Sequence, residues 1–145
     1  MAFKSGKSAS AQGRQKVIDL GTGTALTLTP RHTNTIFLCG GATQAITLPN
    51  ANTLPNGWHV KFILNDETAA VTITGVADQC MGHVVTGADN QNRQIQPATA
   101  ILFEKIIFTV HALKGDWVEI TCLDDGFFHV RGDCRVTDRL TCTSP

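Results

Sequence analysis

The residues of this 145-residue chain that could perform chemistry are its histidines and its adjacent carboxylates. Two acid pairs, Asp66-Glu67 and Asp124-Asp125, lie beside turn residues, where a carboxylate ordinarily accepts hydrogen bonds from the backbone. No two histidines stand two or four residues apart, the spacings that bring ligands together on a strand or a helix. The sequence contains no glycine-rich phosphate loop and no nucleophile elbow. We therefore predict no catalytic residues, no metal site and no cofactor. The five histidines are His32, His59, His83, His111 and His129.

Cysteine is the next reactive residue type, and its number is odd. Cys39 and Cys122 lie inside apolar runs, where an unpaired cysteine is usually a small core residue. No Cys-x-x-Cys motif is present, and a chain of this length does not need disulfides to fold. Cys134 and Cys142 flank a short segment and could face each other across a turn, so their pairing stays open. The sequence predicts mostly reduced thiols and synthesis in the cytoplasm. All five cysteines are Cys39, Cys80, Cys122, Cys134 and Cys142.

Two tryptophans and one tripeptide could bind a partner. Trp58 and Trp117 each follow a predicted turn, where a tryptophan either caps a core or stacks on a sugar. Arg131-Gly132-Asp133 has the spelling of the integrin-binding tripeptide, although three residues match by chance often. The aromatic residues are not interleaved with Lys and Arg, as a stacking platform for nucleic acid would require.

Charge is distributed unevenly along the chain. Twelve basic and twelve acidic residues give a net charge of zero. The first 18 residues carry a charge of +4 and the rest −4, because no acid precedes Asp19. We predict a basic arm, residues 1–16, which orders on a partner surface, and one domain, residues 17–145. The net charge of zero argues against nucleic acid as the partner. The sequence has no apolar run of about 18 residues, so we predict no membrane span. The basic residues of the arm are Lys4, Lys7, Arg14 and Lys16.

The elements that must position these residues are strands. The chain has 19 threonines and no long window of helix-forming residues. The segment Trp58–Leu64 alternates apolar and polar residues most clearly. About nine short strands, at a spacing of roughly 8–12 residues, predict an all-β domain. We expect an antiparallel β-sandwich or barrel, jelly-roll-like, with a polar tail from residue 131.

Part of the strand pattern resembles a recurrent segment of tailed-phage virion proteins. The resemblance covers residues 44–75 and 100–122, about half of the chain, and it is a pattern of strands and turns. The residues that carry it are Ala45-Ile46-Thr47-Leu48-Pro49, Leu54-Pro55-Asn56-Gly57-Trp58-His59-Val60-Lys61-Phe62-Ile63, Val71-Thr72-Ile73-Thr74-Gly75 and Gly115-Asp116-Trp117-Val118.

This resemblance implies a β-sandwich or barrel trimer without enzymatic activity. Proteins with the pattern are similar to capsid decoration (cement) proteins and to tail-fibre knobs. The chain shows no coiled-coil heptads or repeats that would form a fibre shaft. The interpretation we favour is therefore a homotrimeric decoration protein on the virion surface. It would be made in the host cytoplasm and bind the major capsid protein through Lys4, Lys7, Arg14 and Lys16. The alternative is a glycan-binding tail adhesin that uses Trp58 or Trp117, and the third hypothesis is adhesion through Arg131-Gly132-Asp133.

Overall fold

The computed structural model describes residues 14–67, 69–87, 94–97, 102–136 and 139–143, and these residues form an all-β fold. The predicted fold class is confirmed. Two single 3₁₀ turns, Pro30–His32 and Ala51–Thr53, are the helical segments of this part of the chain. The strands are β1 (Lys16–Asp19), β2 (Ala25–Thr27), β3 (Thr35–Cys39), β4 (Gln44–Thr47), β5 (His59–Leu64), β6 (Val71–Thr74), β7 (Cys80–Thr86), β8 (Gln94–Gln96), β9 (Leu102–Phe103), β10 (Lys105–Phe108), β11 (Trp117–Cys122), β12 (Phe128–Cys134) and β13 (Leu140–Thr143).

The strands form two sheets. The large sheet has the order β1-β3-β5-β11-β12-β7-β8, with β9 also paired to β7. The small sheet has the order β13-β10-β6-β4-β2. One hydrophobic cluster contains buried residues of both sheets, which is the arrangement of a β-sandwich.

Both sheets are mixed, which corrects the expectation of antiparallel pairing. The first six strands alternate between the sheets, so that β1, β3 and β5 run parallel in one sheet and β2, β4 and β6 run parallel in the other. Each connection between these strands crosses from one sheet to the other. Two strands that are two apart in sequence therefore lie side by side in one sheet and run in the same direction. Strand spacing and turn residues do not distinguish this path from a hairpin. Every antiparallel pair of the described residues involves a strand after β6; for example, β11 pairs with β5 and β10 with β6.

One buried side chain ties successive turns together where the chain crosses between the sheets. Gln44 accepts a hydrogen bond from the backbone N–H of Gly40 at 3.0 Å and donates one to the carbonyl of Gly21 at 3.1 Å. A Cβ atom at Gly41 would lie 2.5 Å from the same carbonyl oxygen. The close stacking of these turns therefore requires glycine at position 41.

The core follows from the alternation of the strands. On β5, Val60, Phe62 and Leu64 point inward, and Phe37 of β3 stacks on Phe62 with a ring-centroid distance of 5.3 Å. Each such buried side chain contributes about 1.5–3 kcal/mol relative to its exposed state. The polar tail prediction was wrong after residue 131, because β12 continues to Cys134 and β13 buries Leu140 completely.

Candidate functional site: the free edge of the large sheet

Strand β1 lies at one edge of the large sheet and places Lys16, one of the predicted capsid-binding residues, there. It pairs with β3 in parallel, from Lys16 opposite Thr35 to Asp19 opposite Leu38. Within the described ranges, no strand pairs with its other side. An edge strand of this kind presents unpaired backbone N–H and C=O groups to a partner.

Two of the four predicted arm residues lie at this edge. Arg14 and Lys16 are exposed, and neither side chain makes an ion pair or hydrogen bond to a residue that the structure describes. Lys4 and Lys7 lie outside the described residues. Lys16, the last residue of the predicted arm, is the first residue of β1.

The hydrogen bonds of β1 show which backbone groups face outward. Lys16 N–H donates to the carbonyl of Asn34 at 3.1 Å, and Leu20 N–H donates to the carbonyl of Leu38 at 2.9 Å. Alternate residues of a parallel strand bond to the same neighbour, so positions 16, 18 and 20 face β3. The N–H and C=O groups of Val17 and Asp19 consequently point away from the sheet.

The side chains of β1 give this edge a mixed character. Val17 is 58% exposed, whereas Ile18 packs against the core cluster. The carboxylate of Asp19 accepts a hydrogen bond from the backbone N–H of Gly21 at 2.9 Å, which fixes the turn that leaves the strand. The edge therefore combines an exposed β-branched residue with cations at one end and a carboxylate at the other. Sequence reasoning did not single out Val17, because no residue pattern shows whether a strand lies at an edge.

The two tryptophans are in different environments. Trp58 is 1% exposed and packs against Phe128, with ring centroids 5.8 Å apart. Its ring is closed to a sugar, which corrects its assignment as a glycan-binding residue. Trp117 is half-buried on the outer face of the large sheet, with the ammonium of Lys61 4.4 Å from its ring centroid. A cation over the ring face occupies the surface on which a sugar would stack.

The tripeptide Arg131-Gly132-Asp133 lies within β12, between β11 and β7. Arg131 forms an ion pair with Glu119 of the neighbouring strand at 3.1 Å. Gly132 is buried, and a Cβ atom there would lie 2.8 Å from the carbonyl oxygen of Trp117. The glycine therefore serves the packing of the sandwich, and the tripeptide is part of a central strand.

The histidines and acids do not assemble into a metal site in the described part of the chain, where no group of three His, Cys, Asp or Glu residues is placed to hold an ion. His129 Nε2 lies 2.7 Å from the carboxylate of Asp125. This hydrogen bond, together with one from the N–H of Phe127, lowers the pKa of Asp125. His59 contacts the carbonyl of Gly57 at 2.9 Å. These contacts fix turns and strand ends.

The cysteines are free and buried. Burial raises the pKa values of four thiols to about 12, and it also raises that of Cys122, to which the charge of Asp125 adds. Such thiols are poor nucleophiles and poor ligands at neutral pH. Cys134 does not pair with Cys142, and its thiol instead donates to the buried carboxylate of Asp116 at 3.0 Å. The four thiols with a pKa of about 12 are Cys39, Cys80, Cys134 and Cys142.

Comparison with known proteins finds no significant match to a family model, to a curated protein or to a solved structure. The described residues contain no helix long and apolar enough to cross a membrane. The edge strand, the charges beside it and the sequence resemblance are therefore the features that indicate a function.

Proposed function

We propose that this chain is a structural protein of a tailed-phage virion that decorates the capsid and stabilises it. The observation that supports this proposal best is the position of Arg14 and Lys16, which lie exposed at the β1 edge of the large sheet. These two cations thus lie beside backbone groups that pair with no strand in the described part of the chain. A partner with an acidic surface could contact both features at once.

The mechanism in this proposal is mechanical. The two-sheet body provides a rigid unit, because its strands are cross-linked by hydrogen bonds and its inner faces are packed together. The basic arm binds the major capsid protein and orders on it, and this ordering costs entropy while it enlarges the contact area. The protein acts as a homotrimer that bridges neighbouring capsid subunits, as the sequence resemblance implies. It is made in the host cytoplasm and carries out no reaction.

The test compares binding to capsids of the encoding phage from which this protein has been stripped. The double variant Arg14→Gln/Lys16→Gln removes both exposed charges without touching the core. We expect it to sediment with capsids at least about tenfold more weakly, and more so at low salt, where charge pairs are screened least. Arg31→Gln is the matched control, because Arg31 is exposed in the first 3₁₀ turn, outside β1. Full occupancy by the double variant would contradict the proposed role of these cations.

The tail adhesin is the second candidate, in which a sugar ring would displace the ammonium of Lys61 from the face of Trp117. Its indole is half-buried on the outer face of the large sheet, whereas that of Trp58 is closed to solvent. Immunogold labelling of intact virions separates the two candidates. Label over the head supports decoration, and label at the tail supports the adhesin.

A further inference from the structure

The free edge of β1 presents backbone hydrogen-bonding groups as well as charged side chains. Its outward groups are the backbone N–H and C=O of Val17 and Asp19, as the bonds of Lys16 and Leu20 to β3 establish. An extended segment placed beside β1 would satisfy these groups with regular strand hydrogen bonds. Strand addition of this kind draws its affinity from the backbone and its selectivity from alternate side chains.

We propose that the free edge of β1 is a strand-addition site for an extended segment of the major capsid protein. This inference rests on the proposed function and specifies how the partner binds. The added strand carries an acidic residue near Arg14 and Lys16, since these exposed cations have no acidic partner among the described residues. It carries an apolar residue beside Val17, whose side chain is 58% exposed.

Charge and continuity favour this occupant. The exposed cations at the start of β1 continue directly into the basic arm, so one acidic partner can contact the arm and the edge in a single binding event. The opposite end of β1 carries Asp19, which is exposed and already holds the turn at Gly21. The polarity of the edge therefore favours one direction for the added strand, with its acidic end next to Lys16.

Proline substitutions can remove a backbone N–H that points away from β3 or one that faces it, so the roles of the two kinds of group can be tested separately. Val17→Pro removes an N–H that points away from β3, and proline is tolerated at such a position on an edge strand. Ile18→Pro removes an N–H that faces β3, and we expect it to destabilise the fold. Thr27→Pro is the matched control on the small sheet. Leu28 N–H bonds to the carbonyl of Thr47, so the N–H of Thr27 points away from β4.

The experiment measures sedimentation with stripped capsids and amide hydrogen exchange. We expect Val17→Pro to fold like the wild type and to bind at least about tenfold more weakly, because an added strand would lose a donor and leave a carbonyl unpaired. Thr27→Pro keeps wild-type binding. In the wild type, the amides of Val17 and Asp19 exchange rapidly in the isolated protein and become protected on capsids.

Each outcome has a distinct meaning. If the wild type does not bind capsids, the proposed function itself fails. If Val17→Pro binds as well as the wild type, capsid decoration stands and strand addition is refuted. If the amides of Val17 and Asp19 are already protected in the isolated protein, the edge is occupied by another part of the chain or by a second copy, and the proposal is also overturned.

Discussion

Replacement of Gly132 by alanine tests whether the tripeptide Arg131-Gly132-Asp133 serves packing or binding. Alanine in a strand is ordinarily favoured over glycine by roughly 0.5–1 kcal/mol, because glycine loses more backbone entropy on folding. At Gly132, however, the new Cβ atom would lie 2.8 Å from the carbonyl oxygen of Trp117 and 2.9 Å from Cγ1 of Val84. The first neighbour is backbone of the paired strand β11, so a change of rotamer cannot relieve the contact.

The magnitude follows from the cost of overpacking. Insertion of a methyl group into a packed site costs about 1–3 kcal/mol, and here this cost exceeds the entropic gain. For a domain of this size, each kcal/mol lowers Tm by about 2–4 °C. A net loss of about 1–2 kcal/mol remains once the entropic gain is subtracted, so we expect Gly132→Ala to lower Tm by about 2–8 °C.

The assay is thermal unfolding followed by circular dichroism, with urea unfolding as a second measure of stability. Gly75→Ala is the matched control, because its new Cβ atom would meet Cys80 Sγ at an ordinary 3.4 Å. We expect the control to unfold at the wild-type temperature or slightly above it. A Gly132→Ala protein as stable as the control would refute the packing argument. Loss of integrin binding with stability unchanged would favour the adhesion hypothesis instead.

Two further predictions concern carboxylates. Asp116 accepts hydrogen bonds from the N–H of Leu113 at 2.8 Å and from Arg135 Nε at 3.1 Å. We therefore expect Asp116→Ala to lower the free energy of unfolding, measured in urea, by about 2–4 kcal/mol. A loss below about 1 kcal/mol would contradict this. His129→Phe should raise the pKa of Asp125 towards its ordinary value in a carbon-13 NMR titration. Since the folded pKa is lowered, the stability that this contact contributes is present above the ordinary carboxyl pKa and is lost as pH falls through the folded pKa. An unchanged pKa in the variant would contradict the assignment.

Several elements could be predicted from sequence because they depend on local alternation. The segment from Trp58 to Leu64 alternates apolar and polar residues, and β5 buries the expected face. The same alternation predicts the histidines at positions 59 and 129 on the opposite face, and both are only partly buried there. The strand β13 was missed, because Leu140 and Cys142 alternate with threonines over only four residues.

Only the charged residues of the candidate site could be predicted from the sequence. The charges of Arg14 and Lys16 could be read directly, since no acid precedes Asp19. The exposure of Val17 and the direction of its N–H could not be predicted, because both depend on which strand pairs with β1. The burial of Trp58 has the same cause. A tryptophan at the start of a strand is open or closed to solvent according to what packs above it, and here Phe128 of a distant strand does so.

The sequence by itself determined the all-β class, the inward face of most strands and the concentration of basic residues before Asp19. These properties arise from local periodicity and from charges counted along the chain. Only the tertiary structure decided that the early strands pair in parallel within each of the two sheets and that β1 is an edge strand. It also decided that Gly132 packs closely against the backbone of Trp117. Strand pairing joins residues far apart in sequence. It is selected by the packing of both sheets around one core, and no local pattern specifies it.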